Sequence, residues 1–333
     1  MKDLIDRFTL LLAATVFLAT LLPCSGLAAR VLGWISVAGV AALFFLHGAR
    51  LSRAAVWAGL SHWRLHATVL ACTFVLFPLL GLAIAPLASM LIAPALVTGL
   101  LYLCILPSTV GSSIAFTSIA RGNVPAAVCS ASVSNLLGVF LTPLLASLML
   151  ARGGQDTGSA LDAIQAIVVR LLLPFLAGHL LRPWIGEWVS SRKSMLNLFD
   201  RGTILLVVYV AFSEAVLGGV WRQVSPAMML ITALICLVLL ALVLAFAAFI
   251  AKRMHFNRED RVTILFCGSK KSLVTGVPMA NILFAGHPAL GLIVLPLMLF
   301  HQIQLMVCAV LANRLARDSL AVASNEVVNS AAK

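Results

Sequence analysis

The sequence predicts an all-α polytopic membrane protein of ten transmembrane helices, with helices four and nine interrupted and the two halves arranged as a five-plus-five inverted-topology repeat. Three observations predict it: a composition that only lipid can solvate, a regular alternation of basic residues between apolar runs, and paired breaks in the fourth and ninth runs. Of 333 residues 62% are hydrophobic and only 10% charged, with mean hydropathy +1.09. A soluble globule of this length needs far more polar surface. A span takes roughly 20 apolar residues, so ten spans leave short loops and no room for a soluble domain.

The apolar runs fall near 8–23, 30–48, 66–86, 91–120, 124–150, 160–181, 203–221, 226–251, 261–285 and 289–312. The first is short enough to resemble a signal peptide, but its leading segment MKDLIDR carries two acids and it heads a series of similar runs, so it reads as a retained span. Pro23 before Cys24 makes a poor lipid-attachment site.

Lys and Arg test this count, because cytoplasmic loops carry an excess of them. With both termini cytoplasmic, seventeen fall on the cytoplasmic side and only Arg30, Arg152 and Arg222 on the other; Arg170, Lys270 and Lys271 lie at membrane depth. The net charge of +12 is therefore a topology signal in an inner (plasma) membrane protein. It is not a nucleic-acid footprint, which would need a basic stripe with interleaved aromatics. The seven cysteines are scattered with no CxxC spacing, which argues against disulfides and zinc.

Runs four and nine differ from the others. Run four contains Pro107 and Gly111 followed by a Ser/Thr-rich stretch; run nine contains Gly268, Gly276 and Pro278. Irregular backbone at membrane depth survives only where protein or a polar cavity satisfies it, and paired interruptions mark transporter sites. The two correspond at an offset of about 160 residues. They divide the chain into a first repeat, 1–155, a second, 156–315, and a tail, 316–333, expected to be disordered; the boundary is the polar segment 152–158.

The string FCGSKKSLVTGVPMA in run nine, with ILPSTVGSSIAFTSIARGNVPAAV, SASVSNLLGVFLTP and VVYVAFSEAV, resembles the bile acid:sodium symporter superfamily. The branch it resembles is that of bacterial relatives of solute carrier family 10 member 7, and the likeness covers residues 5–315. It implies a panel domain and a core domain, broken helices four and nine crossing near the midplane, and transport of organic anions with sodium. It also implies a carboxylate in run nine that joins polar groups of runs four and five around the ions. Here Ser269, Lys270, Lys271 and Ser272 stand where that carboxylate and the following amides belong, and Ala127 and Ala131 where hydroxyl ligands would be. An ammonium group repels sodium, so coupling at the usual sites is not expected.

Lys270 and Lys271 are the leading functional candidates, since a charge inside a span is costly and usually faces a cavity or partner. They are expected to hold an anionic substrate, or alternatively to snorkel to the cytoplasmic face. Glu214 is the acid placed deepest in an apolar run, and a Glu214–lysine pair would serve as a proton-coupling switch or as a structural ion pair. Ser269, Ser112, Ser113, Asn135, Thr275 and His301 complete the expected substrate site, with Gln302 beside Glu214 for ion coupling. Ser134 joins the same polar patch, Ser130 and Ser132 suit helix packing, and Thr117, Asn281, Gln304, His47 and Arg170 are weaker candidates.

The expected function is secondary active transport of a small organic anion by alternating access, with H⁺ or Na⁺ as coupling ion or none, and no cofactor. A non-transporting membrane regulator of the same fold, linked to calcium homeostasis through the member 7 resemblance, is the alternative. A channel lacks a charged ring or filter. No enzymatic motif is present. Monomer and homodimer are both compatible with the sequence.

Overall fold

The computed structural model describes residues 7–50, 62–150, 169, 172–219 and 224–331. Arg170 and the polar boundary 152–158 lie outside them. Among the described residues every regular element is helical. In chain order they are α1 (Arg7–Leu21), α2 (Gly26–Arg50), α3 (Trp63–Ala71), a π-helical turn (Cys72–Leu76), α4 (Phe77–Leu91), α5 (Pro94–Ile105), α6 (Gly111–Ile119), α7 (Val124–Leu150), α8 (Leu173–Ser191), α9 (Lys193–Leu217), α10 (Pro226–Arg253), α11 (Arg258–Gly268), α12 (Leu273–Leu283) and α13 (Leu290–Ala331).

Among the described residues six helical stretches are long and apolar enough to cross a membrane: Gly26–Arg50, Trp63–Leu91, Val124–Met149, Ser194–Leu217, Pro226–Arg253 and Leu290–Arg317. The protein is therefore a multi-pass membrane protein. Large side chains such as Trp34, Met90, Leu180 and Phe249 stand exposed on the outer faces, as lipid-facing positions do.

Charge, Pro and Gly mark most helix ends. Pro94 opens α5 and Pro226 opens α10, where the missing N–H costs nothing. Ser225 accepts from Met228 N and Asn257 from Asp260 N, capping α10 and α11. Two boundaries differ from the sequence expectation. The basic stretch 182–202 is not a loop: α8 runs through Arg182 to Ser191, and α9 begins at Lys193 after a single non-helical residue, Arg192 (φ −110°). The charges suggest a loop, yet charge alone does not break the backbone hydrogen-bond pattern, and the helix passes through Pro183 and Gly186 with Trp184 and Trp188 exposed along it. Likewise α13 continues helical to Ala331 where a disordered tail was expected; that segment holds neither Gly nor Pro.

In the packing, α2 lies against α8 and α9, and α9 also against α1; α13 lies against α5, and α10 against α11 and α13. The α2–α8 contact is a backbone-to-backbone approach. A Cβ on Gly48 would overlap the Phe175 carbonyl, and one on Gly178 the Phe45 carbonyl, so glycine is required on both sides. The large buried cluster runs through Phe44, Phe77, Tyr102, Phe212 and Phe300. It leaves a polar seam where α6, α7, α11 and α12 converge.

Candidate functional site

The seam forms because both interrupted runs unwind at the same depth. Leu106 precedes Pro107, which forbids it the helical region, and it is extended (φ −74°, ψ 154°). Helix α5 therefore stops at Ile105, and α6 restarts at Gly111. Helix α11 stops at Gly268, and α12 restarts after Ser272, whose hydroxyl accepts from Thr275 N. The two breaks bond to each other: Ser272 N donates to Pro107 O at 2.9 Å, Ser108 Oγ to Cys267 O at 2.6 Å and Ser113 Oγ to Phe266 O at 3.2 Å. Helix α7 supports the crossing. Asn135 Nδ2 donates to Ser108 O at 2.6 Å, Ser134 Oγ accepts from Ser108 N at 3.0 Å, and Gly138 leaves room for Pro107, to which a Cβ would come within 2.7 Å.

Both lysines end in this seam, fully buried. Lys271 Nζ donates to Thr73 O (2.8 Å), Cys104 O (2.8 Å) and Leu106 O (2.7 Å), with the Phe77 ring 4.1 Å away. An ammonium has three N–H donors, so none is left for a ligand. Each of these carbonyls lacks a helical partner for a reason written in the chain. Phe77 N bonds Cys72 O in the π turn, and the next residue that could serve Thr73 O is Pro78, which has no N–H. For Cys104, Pro107 has no N–H and Ser108 N is taken by Ser134; Leu106 is already extended. Lys270 Nζ donates to Ser112 O at 2.9 Å and lies 3.7 Å from the centre of the Phe116 ring, a cation–π contact.

The remaining expected site residues separate into groups. Gln304 of α13 clamps the Lys271 backbone, accepting from its N–H (2.9 Å) and donating to its carbonyl (3.0 Å), and contacts His301 Nδ1 at 2.9 Å. Ser269 Oγ bonds back to Leu265 O, and Ser112 Oγ meets Thr109 Oγ1 at 3.2 Å. Gln302 Oε1 is buried without a hydrogen-bond partner. Glu214 is exposed near the end of α9 and makes no ion pair among the described residues, while both ammonium groups are engaged elsewhere. The anticipated Glu214–lysine pair is therefore not formed: the orphan carbonyls at the breaks outcompete a distant carboxylate. Of the weaker candidates, Asn281 donates to Ser36 Oγ at 3.2 Å, Ser132 Oγ bonds Val128 O in its own helix, and Ser130 meets His66 Nδ1 at 2.7 Å. Thr117 Oγ1 is buried and unpartnered.

A cavity of about 400 Å³ opens beside the crossing, lined from the break side by Thr109, Gly111, Asn135, Ser272 and Thr275 and from the α2, α8 and α9 side by Phe44, His47, Arg50, Phe175, Asn197 and Asp200. Thr275 Oγ1 donates to Asn135 Oδ1 at 2.8 Å, so these two expected residues form one wall. Lys270 and Lys271, expected to hold the substrate, are not among the residues that line this cavity. Arg50 and Asp200, which the sequence did not single out, form an ion pair in the cavity at 2.6 Å. The signal that could have found them is the His47–Arg50 spacing of one helical turn, with Asn197 and Asp200 spaced likewise on α9.

Residues 6–317 match the model of the SBF-like CPA transporter family. The chain is 62% identical to the uncharacterized protein PA2026 of Pseudomonas aeruginosa over 94% of its own length and 93% of that protein's. It is 52% identical to the Escherichia coli protein named "Putative symporter YfeH" over 95% and 94%, and 28% identical to sodium/bile acid cotransporter 7 of Rattus norvegicus over 83% and 82%. Transporter-named relatives in a membrane setting imply a small solute as substrate and indicate no catalytic family. An apolar helical chain whose two unwound segments hydrogen-bond to each other beside a cavity, matched over nearly its full length, belongs to the SBF-like CPA transporter family, within the bile acid:sodium symporter superfamily.

Proposed function

We propose that the protein is a secondary active transporter of an organic anion that works by alternating access and carries its cations as lysine side chains. The observation that carries this reading is the Lys271 ammonium seated on three backbone carbonyls that no helix can satisfy. Unwound carbonyls at a helix break are ready cation ligands, and an ammonium on a tether occupies that position permanently. A fixed charge replaces a dissociable ion, so the crossing stays assembled without sodium.

In this reading the chain has ten spans in two inverted repeats. Helices α1, α2, α8 and α9 belong to the panel, and the crossing of α5–α6 with α11–α12 belongs to the core. The cavity lies between them, with Asn135, Thr275, Ser272 and Thr109 presenting polar groups to the substrate. With both termini cytoplasmic, the Arg50 end of the cavity faces the cytoplasm. It is also the open end, since the His47 and Arg50 side chains are 26% and 27% exposed.

Uptake of radiolabelled cholate and of smaller aromatic and aliphatic carboxylates into proteoliposomes tests this, with sodium exchanged for choline and with or without a pH gradient. Accumulation that is indifferent to sodium supports the reading. Sodium-driven accumulation would overturn the role given to the lysines. Saturable binding with no flux of any anion would replace the transporter by a membrane regulator of the same fold.

A further inference from the structure

The Arg50–Asp200 pair uses only half of its bonding capacity. Arg50 Nη1 donates to Asp200 Oδ2 at 2.6 Å, yet Arg50 Nη2 and Asp200 Oδ1 are both buried with no hydrogen-bond partner among the described residues. A guanidinium and a carboxylate left to themselves pair through both prongs, and an unpartnered buried polar atom is costly. Both side chains line the cavity, so one strong donor and one strong acceptor stand idle at its wall. Beside them the lining has an apolar side, Phe44, Leu136, Val139, Phe175 and Val274, and a neutral polar side that includes Asn135, Asn197 and Thr275.

We infer that Arg50 is the anion-binding residue of the cavity and Asp200 its built-in competitor, displaced when a proton neutralises it, so that the ligand is an amphipathic acid with a single carboxylate. This rests on the cavity being the substrate site. A proton from cavity water binds Asp200 Oδ1; the neutral carboxyl releases its claim on Arg50, and its new O–H donates to the incoming carboxylate, which takes Nη1 and Nη2. The site is neutral before loading (Arg⁺, Asp⁻) and neutral after it (Arg⁺, Asp–H, ligand⁻). One proton accompanies one anion, and no net charge is left in a low-dielectric cavity, where it would be expensive.

The other charged and titratable groups do not substitute for Asp200. On α2, His47 Nε2 stands 4.0 Å from Asp200 Oδ2 and is the nearest alternative proton acceptor. On α9, Arg201 lies over the Phe8 ring of α1 at 5.4 Å. On α8, His179 and Arg182 line a separate recess with Glu187. Helices α6 and α12 contribute no Asp, Glu, His, Lys or Arg to this wall.

Calorimetry on the purified full chain with 2-naphthoate, and with neutral 2-naphthamide as control, tests the inference, because proton uptake is read from the dependence of the heat on buffer ionisation. The wild type is expected to bind naphthoate and not naphthamide, more tightly at acidic than at alkaline pH, with one proton taken up per anion. Asp200→Asn frees Arg50 and should bind naphthoate on the order of tenfold more tightly at alkaline pH, without proton uptake. The Arg50→Gln/Asp200→Asn double variant replaces the charged pair by neutral amides and should not bind, and His47→Gln should keep the proton uptake. Equal affinity in wild type and Asp200→Asn, no binding in either, binding retained in the double variant, or proton uptake that vanishes with His47 instead of Asp200 would each overturn it. Binding is read without flux, so Arg50-dependent binding without transport would instead overturn the transporter reading alone.

Discussion

Replacing Lys271 by Ala deletes the ammonium from between Thr73, Cys104 and Leu106 while the three carbonyls stay in place, held by the π turn and by Pro107. Each loses its only available donor, and leaving a buried carbonyl unpaired costs roughly 1–3 kcal/mol. Three of them, taken at the low end because the seam can relax and because an expensive buried charge disappears with them, give a loss of about 3 kcal/mol. For a chain of this size that lowers the melting temperature by on the order of 5 °C. The variant also leaves a vacated, electronegative pocket, which an alkali cation can refill. An ion bound with a Kd of about 10 mM would return about 1.6 kcal/mol at about 150 mM by mass action. Melting of the detergent-solubilised variant in sodium or potassium chloride, against choline chloride at equal ionic strength, reads this directly. The expected result is saturable stabilisation by an alkali cation in Lys271→Ala and none in the wild type. A variant that melts like the wild type, or that responds to sodium and choline alike, would refute the idea that Lys271 occupies a cation site.

Gln304→Leu removes the clamp on both backbone groups of Lys271 and should cost about 2–3 kcal/mol in thermal melts, since two buried polar groups lose their partner. Gly138→Ala pushes a methyl to 2.7 Å from Pro107; a loss of about 1–3 kcal/mol is expected from overpacking, with reduced uptake because the crossing must shift. Glu214→Gln should leave melting within about 0.5 kcal/mol of the wild type, as for other exposed positions free of ion pairs, and leave the pH dependence of uptake intact. A flattened pH profile in that variant would restore Glu214 as the coupling acid.

Much of the fold was legible because the two signals that set it, apolar run length and helix breakers, are local in sequence. Pro107 and Gly268 marked where α5 and α11 stop, whereas Gly276 and Pro278, read as interruptions of the same run, lie inside α12. That the breaks bond to each other through Ser108, Ser113 and Ser272 is a tertiary fact to which spacing alone could only point. The helical corner at Arg192 and the continuation of α13 were missed for one reason: charge and polarity were taken as ends of helices, although neither breaks the backbone hydrogen-bond pattern. The same habit concealed Arg50 and Asp200. A charge that delimits an apolar run is by that use assigned to a loop, which hides Arg50 at the end of α2 and Asp200 inside the N-terminal part of α9, although the two pair in the cavity.

The lysines show a different limit. Their burial was legible, but their partners depended on a comparison of prolines rather than of charges. A Lys in a span invites a search for an acid, and Glu214 was the acid at hand. Backbone carbonyls compete for the same ammonium wherever a proline removes the N–H that should have served them. Pro78 does this for Thr73 and Pro107 for Cys104, thirty-one residues apart in sequence yet serving the same Nζ. Each carbonyl is a weaker ligand than a carboxylate, but three of them converge within 2.8 Å and cost no side-chain entropy to order. A transporter that binds a free cation at such a position must release and recapture it in each cycle, and its crossing is complete only when the ion is bound. On the proposed reading Lys271 keeps the crossing complete throughout the cycle, and the movement of anion and proton falls to the cavity wall, where Arg50 and Asp200 are the ion pair proposed to exchange one partner for another.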